Sequence, residues 1–212
     1  MPSCRRPALL AILSCLLLVG ASIAFLDRPW ATWSHLHLHG IAAFVWLTLI
    51  AEAVPPLVAA ILVGAGAAAL FGWRPGPRGR VVLACCLAAV IAMAVKEQLK
   101  FAFGRTWPET WTNGNPSWIG DGIFQFVPFH GGKGWMSFPS GHTAETAAPM
   151  AVLWRAAPSA WRPLWAAVVA LVAIGLLGAD FHWLSDVVAG AYVGIAAGVG
   201  TWSLVGGGRY PA

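Results

Sequence analysis

Phe138-Pro139-Ser140-Gly141-His142-Thr143 is the stretch whose residue types most directly suggest chemistry. Pro139 and Gly141 mark a turn, Ser140 and Thr143 are helix-capping types, and the apolar, helix-friendly run Ala144 to Leu153 follows. A helix that opens at such a turn leaves backbone N–H groups unpaired, which makes an anion site. Ser140 adds a hydroxyl donor, Gly141 lets the backbone approach a ligand closely, and His142 can give or take a proton. An oxyanion cradle with a histidine inside it suits phosphate chemistry. A capped helix carrying a surface histidine is the plainer alternative.

Two further groups of residues bear on that choice. Lys96 and Lys100 are four apart, so they share a helix face, and Arg105 follows shortly after. His182-Trp183-Leu184-Ser185-Asp186 places a histidine and a carboxylate about one helical turn apart if Ser185 opens a helix. Asp186 would then accept a hydrogen bond from one ring nitrogen of His182, fix its tautomer and leave the other nitrogen free to attack. Each group alone has an ordinary explanation. The cations can snorkel at a helix end, His182 can sit at a membrane interface, and Asp186 can favour a helix N-terminus. Glu145 reads as another acid favouring a helix start, and Asp180 is close enough in sequence to tune His182. Brought together, two histidines, fixed cations and an anion cradle fit phosphoryl transfer through a phosphohistidine.

The elements that must position these residues are membrane helices. Of 212 residues, 58% are hydrophobic and 10% are charged, against about 25% charged in soluble domains. Mean hydropathy is +0.71. We expect an all-α bundle of six transmembrane helices in one integral-membrane domain covering 1–212. The first runs from Pro7 to Leu26, uncleaved. Asp27 to His39 reads as a wet aromatic interface stretch. Gly40 to Ala51 reads as a short interfacial helix ended by Glu52 and Pro55-Pro56, and a second crossing runs from Pro56 to Trp73. The third begins near Val81 and continues to Phe103. The others run from His142 to Trp154, Pro163 to Ala179 and Val187 to Val205. The polar stretch Gly104 to Gly141 is long, and loops of that length tend to be functional.

Charge sets the expected orientation. Arg5, Arg6, Arg74, Arg78, Arg80, Arg155, Arg162 and Arg209 fall on one side, and all eight acidic residues fall on or near the other. This pattern puts both termini in the cytoplasm, and the long loop, the Ser-Gly-His turn and the Asp180–Asp186 turn outside. It also accounts for the net charge of +5 without a nucleic-acid partner. His35, His37 and His39 would share a face on a strand and could bind metal there; on a helix they spread round the axis, and interfacial histidines are the favoured reading. Cys4, Cys15, Cys85 and Cys86 match no zinc or disulfide spacing and read as small apolar fillers.

The chain resembles the type 2 phosphatidic acid phosphatase superfamily, integral-membrane lipid phosphatases related to vanadium haloperoxidases. Pro139-Ser140-Gly141-His142 matches the family's second motif, His182 and Asp186 keep the spacing of its third, and Lys100 and Pro108 keep part of its first. Trp107 and Leu176 stand where the two family arginines would be, and Gly175 where its serine would be. Losing one such phosphate donor costs on the order of 3 kcal/mol in the transition state.

The resemblance implies a lipid phosphatase acting on a phosphomonoester or pyrophosphate in a bacterial inner membrane, its active site on the periplasmic or extracellular face and the phosphorylated lipid its partner. Candidate substrates are undecaprenyl pyrophosphate, phosphatidylglycerol phosphate, phosphatidic acid and a lipid A phosphate. It implies His182 as nucleophile, Asp186 as its orienting acid and His142 as proton donor and later base. Lys100, Arg105, Ser140 and Gly141 would bind phosphate, with Arg105, Lys96 or Lys133 making up for the missing arginines. Trp107, Trp111, Trp118 and Trp135 would line the interface near the head group. No metal or other cofactor is implied. The alternatives are a lipid phosphotransferase, a non-catalytic lipid-phosphate binder of the same fold and, more remotely, a metal transporter using the three alternating histidines.

Overall fold

A computed structural model describes residues 5–111 and 114–205. Cys4, Arg209 and the tail from Gly206 to Ala212 lie outside the described residues. The described chain is helical: α1 Arg5–Ala21, α2 Asp27–Leu38, α3 Ala42–Glu52, α4 Val54–Leu70, α5 Pro77–Phe103, α6 Trp118–Asp121, α7 Gly141–Ala156, α8 Arg162–Gly178 and α9 Leu184–Leu204. Five helical segments are long and apolar enough to cross a membrane. Their outer faces are apolar rather than buried: in Ala42–Leu70, only 6% of the most apolar window is covered by protein. Lipid is the solvent that such a surface fits.

The N-terminal half differs from the expected boundaries. The first crossing does not stop at Leu26. A π-helical turn, Ser22–Leu26, joins α1 to α2 in one helical segment, Arg6–Leu38, of 33 residues. Pro29 falls in the first turn after that register change, where a missing N–H is least costly. The short helix expected over Gly40 to Ala51 and ended by Glu52 is present as α3, Ala42–Glu52. α3 and α4 belong to one span of 29 residues, Ala42–Leu70. Pro55 and Pro56 sit in the first turn of α4, the position a helix accepts proline, so they do not end the segment.

α5 begins with Pro77 in its first turn and runs for 27 residues to Gly104, whose φ of 55° closes it. A side chain at Gly104 would collide with the carbonyl of Val127. α7, expected as a further crossing, has 16 residues, encloses Pro149 and is mostly buried in the bundle. It packs chiefly against α9 and α5. Small residues make this possible. Gly190, Gly194 and Gly198 of α9 face the carbonyls of Ser140, Ala144 and Ala148 of α7. This is the close backbone approach by which helices associate without a hydrophobic drive. Ala84, Ala88 and Ala92 of α5 pack with Ala148, Val152 and Ala156 of α7.

Candidate active site

The N-terminus of α9 fixes a histidine against a carboxylate. Nδ1 of His182 lies 3.2 Å from Oδ2 of Asp186. The Trp183 N–H donates to the same oxygen at 3.3 Å, and the Ser137 hydroxyl donates to it as well. The other oxygen, Oδ1, accepts from Arg105 Nη1 at 2.5 Å. Asp186 is fully buried and His182 nearly so. Burial holds the His182 imidazole below the ordinary histidine range, against the opposing pull of Asp186. A neutral ring whose Nδ1–H points at Asp186 leaves Nε2 with a free lone pair.

Arg105 acts behind this pair. Its Nη1 also donates to Ser185 Oγ at 2.6 Å, and its Nη2 donates to Asp27 Oδ2 at 2.7 Å. The Ser185 N–H donates to Asp27 Oδ1 at 2.9 Å. Arg105 is 1% exposed and does not line the cavity described below. Arg105, expected from sequence to bind phosphate, has its guanidinium committed to two buried carboxylates, which would otherwise bear the cost of unpaired charge. Asp27, read from sequence as part of a wet interface, is one of those carboxylates and is 1% exposed.

The turn opening α7 meets the same place. Ser140 caps the helix, accepting from the Thr143 N–H at 3.4 Å and the Thr143 hydroxyl at 3.0 Å. Its own N–H donates to the Asp186 carbonyl at 3.0 Å, tying the α7 start to the α9 start. Ser140 is fully buried and absent from the cavity wall, while Gly141 is part of it. An ideal Cβ on Gly141 would sit 2.7 Å from Lys96 Nζ, so the ammonium rests against the bare backbone there.

His142 and His182 line one cavity of about 630 Å³, together with Lys96, Lys100, Gly141 and Glu145. Trp107, Trp111, Lys133 and Glu52 complete the charged and aromatic wall. Its three lysines outnumber its two carboxylates, which leaves these groups with one net positive charge. The lysines are not equivalent. Lys96 pairs with Glu145 at 2.5 Å and Glu97 at 3.2 Å. Lys100 is buried with no ion-pair partner among the described residues, its ammonium 5.6 Å from the centre of the Trp107 ring. Glu145 is thus a counter-ion of Lys96 rather than a helix-start acid alone. Trp118 and Trp135, expected beside the head group, lie elsewhere: Trp118 bonds Thr32 and Trp135 packs on His130.

From sequence, Ser137 had no role, Glu52 and Ser185 were only helix-boundary residues and Asp27 only part of an interface stretch. Ser137 and Ser185 flank the two histidine motifs, a faint signal. Asp27 stands at the end of the apolar run Pro7 to Leu26, next to Arg28, and so looks like a helix-end charge.

The PAP2 superfamily model matches residues 81–209, more than half of the chain. The chain belongs to the PAP2 superfamily. The crystal structure of Aquifex aeolicus LpxE superposes with a TM-score of 0.56 at 21% identity, over 84% of this chain and 95% of that one. No curated protein matches. Trp107 and Leu176 stand at the two positions where the motif resemblance places arginine. Trp107 is buried, its ring centre 5.0 Å from that of His182, and its Nε1 donates to the Lys133 carbonyl at 2.7 Å. Leu176 packs fully buried with Ala51, Val172 and Val187. Gly175 lies against Phe44 and Leu47, where any side chain would clash.

Proposed function

We propose that this PAP2 protein is a membrane phosphatase that hydrolyses a phosphomonoester or pyrophosphate of a lipid through a phosphohistidine on His182. The observation that carries the reading is the shared cavity: His182, braced by Asp186, faces the same space as His142, Lys96 and Lys100. His182 Nε2 attacks the terminal phosphorus, the bond from it to the ester oxygen of a monoester or the bridging oxygen of a pyrophosphate breaks, and His142, as imidazolium, gives that oxygen a proton. His142 then takes a proton from water, the water oxygen attacks phosphorus, and the P–N bond breaks to release phosphate and restore His182. Lys100 and Lys96 hold the non-bridging oxygens with the Gly141 backbone, and Asp186 keeps the His182 tautomer through both steps.

The membrane face follows from the arginines. Arg78 and Arg80 open α5, whose 27 residues end beside the cavity, roughly 40 Å away along the axis. By the positive-inside rule those arginines lie in the cytoplasm and the cavity opens outward, in a bacterial inner membrane. The substrate candidates are undecaprenyl pyrophosphate, phosphatidylglycerol phosphate, phosphatidic acid and a lipid A phosphate. Purified protein should release phosphate from one of these in EDTA, and His182→Ala should abolish release. Full activity in His182→Ala would eliminate the mechanism.

Trp107 and Leu176 favour a second reading, since apolar side chains occupy positions where the family motif has arginine. A non-catalytic member would bind lipid phosphate and not turn it over. Rapid acid-free quenching with labelled substrate separates the two, because only the enzyme forms an acid-labile phosphohistidine. Transfer to a second lipid in place of water would appear in the same experiment as a new labelled lipid.

A further inference from the structure

At the end of α2, four side chains from three segments converge. His35 and His39 are one helical turn apart and project from the same face, while His37 points elsewhere and bonds the Trp33 carbonyl through Nδ1 at 2.8 Å. Glu109 comes from the loop after α5 and Asp180 from the turn between α8 and α9. Nδ1 of His35 and Nδ1 of His39 each lie 3.2 Å from Oδ2 of Asp180. Nδ1 of His35 also lies 2.8 Å from Oε2 of Glu109. One donor atom from each residue falls within 4.8 Å of every other.

Simple hydrogen bonding does not satisfy this group. The one hydrogen that Nδ1 of a neutral His35 can carry is shared between the carboxylates of Glu109 and Asp180. Asp180 Oδ1 is buried without a hydrogen-bond partner, and Glu109 Oε2 is buried with the close but poorly aligned His35 Nδ1 beside it. The Asp180 side chain is 1% exposed, and neither acid pairs with a lysine or arginine among the described residues. Two carboxylates in so small a space repel unless a cation lies between them. Tetrahedral ligands at about 2.0–2.1 Å from zinc stand roughly 3.3 Å apart, close to the separations seen here.

We infer that His35, His39, Glu109 and Asp180 bind one divalent transition-metal ion of the zinc type, joining α2, the Glu109 loop and the α8–α9 turn. Two imidazoles with two carboxylates are a donor set for borderline metals such as zinc, and lack the all-oxygen character that calcium or magnesium requires. His39 is 55% exposed on its side chain, which gives the ion a path from solvent. The site is separate from the phosphoryl-transfer residues. Its effect on them is positional: Asp180 is two residues before His182, and Glu109 is two residues from both Trp107 and Trp111 of the cavity wall. The bound ion clamps the turn that carries the nucleophile to the loop that walls the cavity.

The test uses untagged full-length protein in detergent, stripped with dipicolinate and titrated with zinc chloride by calorimetry, with zinc content counted by mass spectrometry. One zinc per chain and a zinc-dependent rise in Tm are expected. A direct ligand matters at least as much as the outer groups that support one, so Asp180→Asn and His39→Ala should each weaken zinc binding by roughly 10-fold or more. His37→Ala should bind as the wild type does. Because His39 is largely exposed, His39→Ala tests the site even if Asp180→Asn fails to fold. Absence of zinc binding by the wild type, or wild-type affinity in His39→Ala, would overturn the inference. None of these readouts depends on phosphate release.

Discussion

Arg105 is held by Asp27, Ser185 and Asp186 in a buried network, so its removal strands two carboxylates at once. Breaking a buried pair by deleting one partner costs about 3–5 kcal/mol. Arg105→Ala should therefore lower the thermal unfolding midpoint steeply in detergent; a variant with wild-type stability and weakened substrate binding alone would return Arg105 to the phosphate. Lys100 is expected to behave in the opposite way. It faces the cavity with no ion-pair partner among the described residues, so Lys100→Ala should leave the unfolding midpoint nearly unchanged. Phosphate release should fall about a hundredfold, the usual effect of removing one donor to the developing charge. Steady-state kinetics on the two variants would show whether the roles divide this way.

The contact between α7 and α9 decides whether His142 and His182 can share a substrate. Gly194 lies where an added Cβ would meet the Ala144 carbonyl, and would stand 2.7 Å from Ala147 Cβ. Gly194→Val should force the helices apart, at about 1–3 kcal/mol for an overpacked site. It should also reduce phosphate release by more than the loss of folded protein explains. Gly200 is the control on the same helix, with nothing within 4 Å of an added Cβ. Gly200→Ala should be neutral or slightly stabilising, by about 0.5–1 kcal/mol of helix preference. Equal behaviour of the two variants would mean that the helix spacing is not what holds the site.

Across the whole molecule, the cavity and the arginine-bearing α4–α5 loop lie at opposite ends of α5. Lys133 and Arg78, one at each end, are both exposed. In intact cells, a membrane-impermeant maleimide should label Lys133→Cys and spare Arg78→Cys until the membrane is permeabilised. The reverse pattern would place the site in the cytoplasm. The chain has four native cysteines, so the unsubstituted protein labelled in parallel gives the background.

By itself the sequence determined the all-helical membrane class, because apolar runs and arginine-rich loops are local properties of the chain. It also determined the histidine motifs, since a helix start and a one-turn spacing from His182 to Asp186 are readable within a few residues. The continuity of the first two spans was not readable. Asp27 looks like a helix end until its partner is known, and that partner, Arg105, is 78 positions away. The role of Arg105 itself was decided by tertiary structure for the same reason: a cation near a phosphate motif and a cation neutralising buried acids have identical local sequence. His35 and His39 show the limit most plainly. Their spacing is visible, but Glu109 and Asp180, which turn two interfacial histidines into a four-ligand cluster, come from segments that only folding brings together.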